Sequence, residues 1–156
     1  MRQARATLGV LGTVVAIAAS APAQAVTMDD VRTALKAEKK ALVAENMGLS
    51  KAQEEQFWPV YDSYQAELGG LNDRLAKLIR SYAEDYTADT LTDQKAKQLM
   101  TEALDIEDAE VKLKRAYAKK MEKVLPPKQV ARWLQIETKI RSVLKFDLAD
   151  GIPLVD

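Results

Sequence analysis

Apolar residues recur along this chain at steps of three and four, which is the spacing of one face of an α-helix. No segment shows sustained alternation of apolar and polar residues, so we predict no β-strands. With glycines and prolines at the boundaries, the pattern predicts helices over about residues 28–47, 51–86, 93–124 and 127–148. The predicted fold class is all-α, a four-helix antiparallel bundle or long helical hairpin.

The second predicted helix carries the most regular apolar pattern. Its seam alternates steps of four and three without a fault, and it comprises Phe57, Tyr61, Tyr64, Leu68, Leu71, Leu75, Leu78 and Tyr82. A heptad seam requires a partner helix along its length. Pro59 and the Gly69-Gly70 pair oppose a straight helix, and the sequence leaves open whether they kink it.

The first and third predicted helices each carry two apolar stripes. The stripes of the first helix are Met28, Val31, Leu35 and Leu42, and Ala34, Ala37, Ala41 and Ala44. Those of the third are Leu99, Ala103, Ile106, Leu113 and Tyr117, and Met100, Leu104, Val111, Ala118 and Met121. A doubled stripe is a broad face that contacts more than one neighbour.

The broad apolar face of the third helix indicates that the chain associates with a second copy of itself. A lone hairpin would leave much of that face in water, and the outer helices are shorter than the hairpin. We therefore predict an antiparallel homodimer that buries surface along the second and third helices. The seam assigned to this dimer comprises Tyr64, Leu68, Leu71, Leu75 and Leu78.

The first 25 residues have the features of a secretory signal peptide. Arg2 and Arg5 precede an apolar run from Leu8 to Ala18, and Ala23-Gln24-Ala25 gives the small-x-small pattern of a cleavage site. The run is shorter than the roughly 20 residues of a spanning helix. We predict cleavage after Ala25, export to the periplasm, and one helical domain over residues 26–156 without an integral membrane segment.

Composition excludes several classes of chemistry. The chain contains no cysteine and no histidine, so disulfides, the usual zinc and haem ligands, and Ser-His or Cys-His nucleophile pairs are absent. Basic and acidic residues balance at 23 each, which gives no overall attraction for nucleic acid. We therefore predict that the protein is not an enzyme and that it has neither a cofactor nor a metal site.

Two helix starts share a short motif. Leu49, Ser50 and Gln53 open the second helix, and Leu125, Pro126 and Gln129 stand at the same spacing before the fourth. Ser50 is a predicted N-cap, and Gln53 at the third helical position can return a hydrogen bond to its amide. Leu49, just before this cap, can dock on the preceding helix and fix the turn.

In these motifs and in its layout the chain resembles the Spy/CpxP family of periplasmic proteins, which is defined by two L-T-x-x-Q motifs. Ser50 and Pro126 stand where the family motif has threonine. The resemblance implies a cradle-shaped antiparallel homodimer. It also implies a protein that holds unfolded proteins without ATP, or one that tunes an envelope-stress sensor.

Candidate client-binding residues lie on three helices. A basic patch on the first helix comprises Lys36, Lys39 and Lys40. It is interpreted either as a solvated face or as part of a surface that attracts unfolded chains. Trp58 and Trp133 lie near the starts of the second and fourth helices. They are expected to stack on each other at one end of the bundle or to contact clients.

The function predicted from these features is a periplasmic ATP-independent chaperone of the holdase type, or an envelope-stress adaptor, whose partners are unfolded or misfolded envelope proteins. The alternative is a structural or adaptor protein that recognises one folded envelope partner. A metal-stress sensor is a further alternative. Its candidate thioether ligands are Met28, Met47, Met100 and Met121, which core packing also explains.

Overall fold

The computed structural model describes residues 28–155, with side chains from residue 33 onward. Within this range the chain forms four helices and no strand, which confirms the all-α class. The helices are α1 (Met28–Met47), α2 (Lys51–Thr87), α3 (Asp93–Met121) and α4 (Pro127–Gly151). The predicted signal peptide and its cleavage site after Ala25 lie outside the described residues.

The helix boundaries agree with the sequence pattern to within three residues. α3 ends at Met121, earlier than predicted, because the amides of Val124 and Leu125 both bond to the Met121 carbonyl and turn the chain before the prolines. α4 continues to Gly151, three residues beyond the predicted end of the fourth helix.

Local sequence signals set the start of α2. Ser50 has an extended backbone and forms a complete capping box: the Gln53 amide donates to Ser50 Oγ (3.4 Å), and the Ser50 amide donates to Gln53 Oε1 (3.0 Å). Gly48, just after α1, has a φ of +59°, the left-handed conformation that ends many helices. The predicted capping box of Ser50 and Gln53 is confirmed.

α2 and α3 pair as an antiparallel hairpin. Asp85, near the end of α2, forms an ion pair with Lys95 at the start of α3. Towards the other end, Tyr117 Oη donates to Glu67 Oε1 at 2.6 Å. The heptad seam of α2 therefore finds its partner helix within the same chain.

α4 and α1 complete the arrangement through polar contacts. Arg141 of α4 contacts both Glu110 of α3 and Asn72 of α2. α1 meets α4 where Arg132 Nε donates to the Asn46 carbonyl at 2.6 Å. α4 thus lies along the hairpin, and α1 lies against α4.

The buried apolar core occupies the end of the molecule at which α2 and α4 begin. Its members are Val43, Met47, Phe57, Tyr61, Tyr64, Leu68, Leu113, Tyr117, Met121, Leu125, Val130 and Trp133. In contrast, no residue from 71 to 105 is buried. The molecule therefore has one well-packed end and one less packed end. The less packed end, residues 71–105, is here called the distal hairpin.

The seam assigned to a dimer is used inside one chain. Tyr64 and Leu68 are buried in the monomer, and the Tyr64 ring packs edge-on against Tyr117 (5.4 Å between ring centroids) and Trp133 (5.2 Å). The dimer-seam prediction is wrong for Tyr64 and Leu68, because α3 and α4 already cover them. The other three seam residues, Leu71, Leu75 and Leu78, are half-buried.

The buried face of α1 is not the one that the stripes indicated. Leu35 and Leu42 are exposed, whereas Val43 and Met47 are buried in the core. The alanine stripe is also exposed throughout (Ala34, Ala37, Ala41 and Ala44). Among the α1 residues whose side chains are described, only Val43 and Met47, in the second half of the helix, are buried. These two positions, and not the longer stripe, define the face that α1 packs against its neighbours.

Candidate functional site

The two motif glutamines lie against each other. Gln53 Nε2 donates to Gln129 Oε1 at 2.7 Å, and Gln129 Nε2 donates back to Gln53 Oε1 at 3.4 Å. Because Gln53 Oε1 also accepts from the Ser50 amide, one side chain closes the cap of α2 and joins it to α4. The spacing of the motif thus has a structural purpose at the junction of two helix starts.

The remaining motif residues anchor this junction. Leu125 is buried in the core, and Leu49 is half-buried against it. Pro126 is the N-cap of α4 and gives no side-chain hydrogen bond, while Pro127 occupies the first helical turn. Proline is tolerated there because that amide would have no helical partner.

Two of the three candidate lysines hold helices together. Lys39 is only 20 % exposed, and its ammonium donates to Glu137 Oε2 (2.8 Å) and Gln65 Oε1 (3.0 Å). Lys40 forms an ion pair with both oxygens of Asp62, at 2.8 and 2.9 Å. The charges of these two lysines are therefore matched within the fold, and their role in client contact stays a prediction.

Lys36 and Trp58 remain accessible. Lys36 is exposed on α1. Trp58 is half-buried, stacks edge-on against Phe57 (4.9 Å) and Tyr61 (5.4 Å), and lies under the Lys40 ammonium at 4.8 Å from the ring centroid. A role of Lys36 and Trp58 in client contact stays a prediction.

Trp133 is a core residue. It is 0 % exposed and packs against Tyr64 rather than against Trp58. The predicted stacking of the two tryptophans is wrong, and so is the assignment of Trp133 to client contact, because an enclosed side chain has no surface to offer a partner. In the sequence, Trp133 stands at helical spacing with Val130, Ile136 and Ile140, and this apolar pattern favours a core position.

A buried carboxylate, not foreseen from the sequence, joins three helices. Glu137 is 2 % exposed and accepts hydrogen bonds from Lys39 of α1 and from Gln65 Nε2 of α2, the latter at 3.2 Å. The hydroxyls of Tyr61 and Tyr64 lie in the same region. Burial, and next the negative charge of Glu137, raise the pKa of both tyrosines.

A second buried ion pair lies one helical turn further along α4. Arg141 Nε and Nη2 contact Glu110 Oε2 at 2.9 and 2.8 Å, Arg141 Nη1 donates to Asn72 (2.7 Å), and Lys114 pairs with Glu110 Oε1 (2.7 Å). Burial alone would raise the pKa of Glu110, but the hydrogen bonds from Lys114 and Arg141 outweigh it and lower that pKa below its usual value.

The sequence did contain a signal for these pairs. Glu137 and Arg141 continue the α4 stripe of Val130 and Trp133 at steps of four, so they stand where apolar residues are expected. Glu110 likewise follows Ile106 by four in the stripe of α3. Charged residues in phase with an apolar stripe indicate buried pairs, since an unpaired buried charge is costly.

Large apolar side chains remain exposed on three helices. They form a stripe on α1 (Leu35 and Leu42), a stripe on α3 (Met100, Leu104 and Val111), a group on α4 (Val143, Leu144 and Phe146) and the chain end (Leu154 and Val155). The α3 residues are the first three members of the second stripe that the sequence predicted for that helix; its last two members differ, since Ala118 is half-buried and Met121 is buried in the core. Met100, Leu104 and Val111 are here called the α3 stripe, and within the monomer they face water.

A shallow groove of about 590 Å³ lies between α2 and α3 in the distal hairpin. It is bridged by the bidentate Arg74–Glu102 pair and by the Asp85–Lys95 pair. Among the side chains of residues 33–155, no three acidic groups converge in a way that could hold a metal ion. None of the helices described over residues 28–155 is both long and apolar enough to cross a membrane.

The resemblance to the Spy/CpxP family stays a prediction, carried by the motif residues at the starts of α2 and α4. In comparisons with known proteins, no family model, no curated protein and no solved structure matches this chain.

Proposed function

We propose that this chain is a periplasmic, ATP-independent chaperone of the holdase type, or an envelope-stress adaptor, that binds unfolded proteins. The observation that carries the proposal is the exposure of large apolar side chains on three helices, with Leu104 of the α3 stripe 60 % exposed. Contiguous exposed apolar side chains on a folded protein mark interaction sites. Reversible binding of unfolded chains needs such surface without a deep pocket.

Charges beside the α3 stripe support weak and general binding. Asp105 and Asp108 lie at its centre, and Lys112 and Arg115 follow, all of them exposed. Unfolded proteins offer apolar side chains interspersed with charges of both signs. A stripe flanked by both signs accepts many such sequences without selecting one, and long-range attraction raises the rate of encounter.

The same stripe is the proposed face of a homodimer. Acidic residues precede Lys112 and Arg115 along α3, so an antiparallel pair of α3 helices would place acidic groups opposite basic ones in both directions. This proposal replaces the α2 seam as the dimer face. The dimer face and the client face then coincide on the α3 stripe, so unfolded chains compete with the second copy for Leu104 and Val111, while the apolar groups of α1 and α4 stay open to clients in both states.

A light-scattering assay tests the chaperone proposal. The mature protein, at up to equimolar ratio, is expected to suppress the aggregation of several unrelated heat-unfolded or reduced proteins without ATP. The double variant Leu104→Ser/Val111→Ser should lose much of this effect. Its matched control, Thr101→Ser/Ala116→Ser, changes two exposed α3 residues outside the stripe and should act like the parent.

Two results would count against this function. Absence of suppression with every client would favour the alternative of an adaptor for one folded envelope partner. Equal suppression by the stripe variant and its control would remove the α3 stripe from the binding surface. Circular dichroism of each variant ensures that loss of effect is not loss of fold.

A further inference from the structure

Beyond α4 the chain leaves the helix at Ile152, whose backbone is extended, and continues as a short non-helical segment of apolar residues. Ile152 has φ −103° and ψ 117°, and it is followed by Pro153, Leu154 and Val155. This segment, residues 152–155, is here called the tail. An extended backbone with apolar side chains is the same chemistry that a segment of an unfolded protein presents.

The tail contacts the distal hairpin at Tyr82, near the end of α2. Tyr82 Oη donates a hydrogen bond to the Pro153 carbonyl at 3.0 Å, and Ile152 is half-buried. The Tyr82 ring packs against Tyr86 at 5.7 Å between centroids. Tyr82 and Tyr86 together are here called the tyrosine shelf.

The hold on the tail is weak. Its hydrogen bond to Tyr82 is exposed to solvent, Leu154 is 87 % exposed, and Val155 is exposed as well. Pro153 has no amide hydrogen to offer the shelf. Segments with few buried contacts and exposed hydrogen bonds open at low free-energy cost. The tail is therefore a segment that a competitor can displace.

We propose that the tyrosine shelf is a docking site for extended apolar segments of unfolded proteins, and that the tail occupies it as an internal competitor. The proposal rests on the chaperone function above and deepens it. A phenol that donates to a main-chain carbonyl recognises a feature that every peptide has. The shelf therefore fits extended segments of many sequences, and it does not require one particular partner.

Tethering makes the tail an effective competitor despite its weak contacts. A short tether gives an effective concentration on the order of millimolar, so an external segment meets a shelf that is mostly occupied. The apparent affinity for an external segment is lowered by the fraction of molecules in which the shelf is open. Removing the tail should raise that affinity without adding any contact.

Peptide binding to the full chain and to a chain ending at Gly151 tests the shelf directly. The probe is a fluorescein-labelled synthetic peptide with the sequence of residues 150–156, followed by fluorescence anisotropy. The truncated chain should bind it at least about threefold more tightly than the full chain. In the truncated chain, Tyr82→Phe should weaken binding about two- to tenfold through loss of one hydrogen bond. Ser63→Ala, which removes an exposed hydroxyl of α2 outside the shelf, should bind like its parent.

Two substitutions in the full chain provide a matched pair. Ile152→Ser removes the half-buried tail residue and should raise the affinity for a reduced, carboxymethylated unfolded protein, as truncation does. Leu154→Ser removes an equally apolar but exposed residue and should leave that affinity unchanged. Helical content and unfolding midpoints are compared in every variant, because the proposal requires that the helices remain intact.

The possible results separate the shelf from the function. Equal peptide binding by full and truncated chains, or none by the truncated chain, overturns the shelf. If aggregation is still suppressed in that case, the chaperone function stands without it. The peptide could instead bind in a way that depends on truncation and on Tyr82 while no unfolded protein is captured. That result overturns both the chaperone function and the role of the shelf in docking unfolded proteins.

Discussion

Lys39 lies at the junction of three helices, and its charge is matched by the most enclosed carboxylate of α4. The pair with Glu137 connects α1 to α4, and the hydrogen bond to Gln65 adds α2. A long lysine stem covers apolar surface while its head reaches a buried acceptor. The residue therefore acts on the fold, although sequence position alone placed it with Lys36 on one basic surface.

Replacing Lys39 is expected to destabilise the protein strongly. Lys39→Ala would leave Glu137 buried without its cation, and breaking such a pair costs about 3–5 kcal/mol, with the lower figure expected because Lys39 keeps some contact with water. Lys36→Ala, on the same helix and exposed, should change the free energy of unfolding by less than about 0.5 kcal/mol. Urea unfolding followed by circular dichroism measures both. Similar values for the two variants would contradict this role of the buried pair.

Three tyrosines give the protein a defined response to alkaline pH. Burial, and then the hydrogen bond to Glu67, raise the pKa of Tyr117 to about 12, and Tyr61 and Tyr64 are raised in the same direction. A tyrosine whose pKa is raised by folding stabilises the fold fully below pH 10, and this contribution is lost as pH rises through the folded pKa. We expect stability to fall from pH 10 upward, with the tyrosinate absorbance of these residues appearing together with unfolding.

Substitution isolates the contribution of one tyrosine to this response. Tyr117→Phe removes one ionising group, so its stability should fall less steeply between pH 10 and pH 12 than that of the parent protein. Tyr86→Phe, which changes an exposed tyrosine, serves as the control. Denaturant midpoints at a series of pH values provide the measurement. Parallel pH profiles for parent and Tyr117→Phe would contradict the assignment.

At the scale of elements, the sequence predicted the helices well, because their signals are local. Ser50, Gln53 and Gly48 specify the end of α1 and the start of α2 through groups within a few residues of each other. The face that each helix buries is a different matter, since it depends on where its neighbours lie. α1 buries Val43 and Met47 instead of Leu35, and no local pattern records that choice.

The candidate surface was predictable in part for the same reason. The α3 stripe can be predicted from periodicity alone. Its exposure depends on where α4 lies, and the sequence does not give that position. Charge runs are equally ambiguous: Lys36 and Lys39 look alike in sequence, and only the approach of Glu137 distinguishes them. Pairing across helices separated by about 100 residues along the chain has no local signature.

The motif glutamines make a prediction about helix starts. Gln53→Ala removes both the return bond of the capping box and the bond to Gln129, so we expect a loss of about 1–2 kcal/mol. Gln129→Ala removes only the inter-helix bond and should cost about 0.5–1.5 kcal/mol. The double variant should cost less than the sum, because the two share one interaction. Strict additivity in urea unfolding would show that the two side chains do not interact in solution.

At the scale of the whole molecule, packing is divided between two halves. The core around Trp133 holds all four helices, and the buried pairs of Glu137 and Arg141 border it. Beyond them, residues 71–105 contain no buried side chain. Regions with few buried contacts open more readily than the core. The tyrosine shelf and part of the α3 stripe lie in this less packed region, which suits the proposed binding and release of unfolded chains.

Assembly of two copies is the last property that the exposed surface predicts. An isologous antiparallel contact through the α3 stripe would bury Leu104 and Val111 and bring the acidic centre of α3 opposite Lys112 and Arg115 of the other copy.

The mature protein is then expected to sediment as a dimer at micromolar concentration. Leu104→Lys should give a folded monomer, because Leu104 is exposed in the single chain and contributes nothing to its core. Leu144→Lys, which changes an exposed leucine of α4, should remain dimeric. Analytical ultracentrifugation over a range of concentrations decides between these outcomes: a parent protein that stays monomeric throughout would remove the dimer, and a monomer produced only by Leu144→Lys would move its face from α3 to α4.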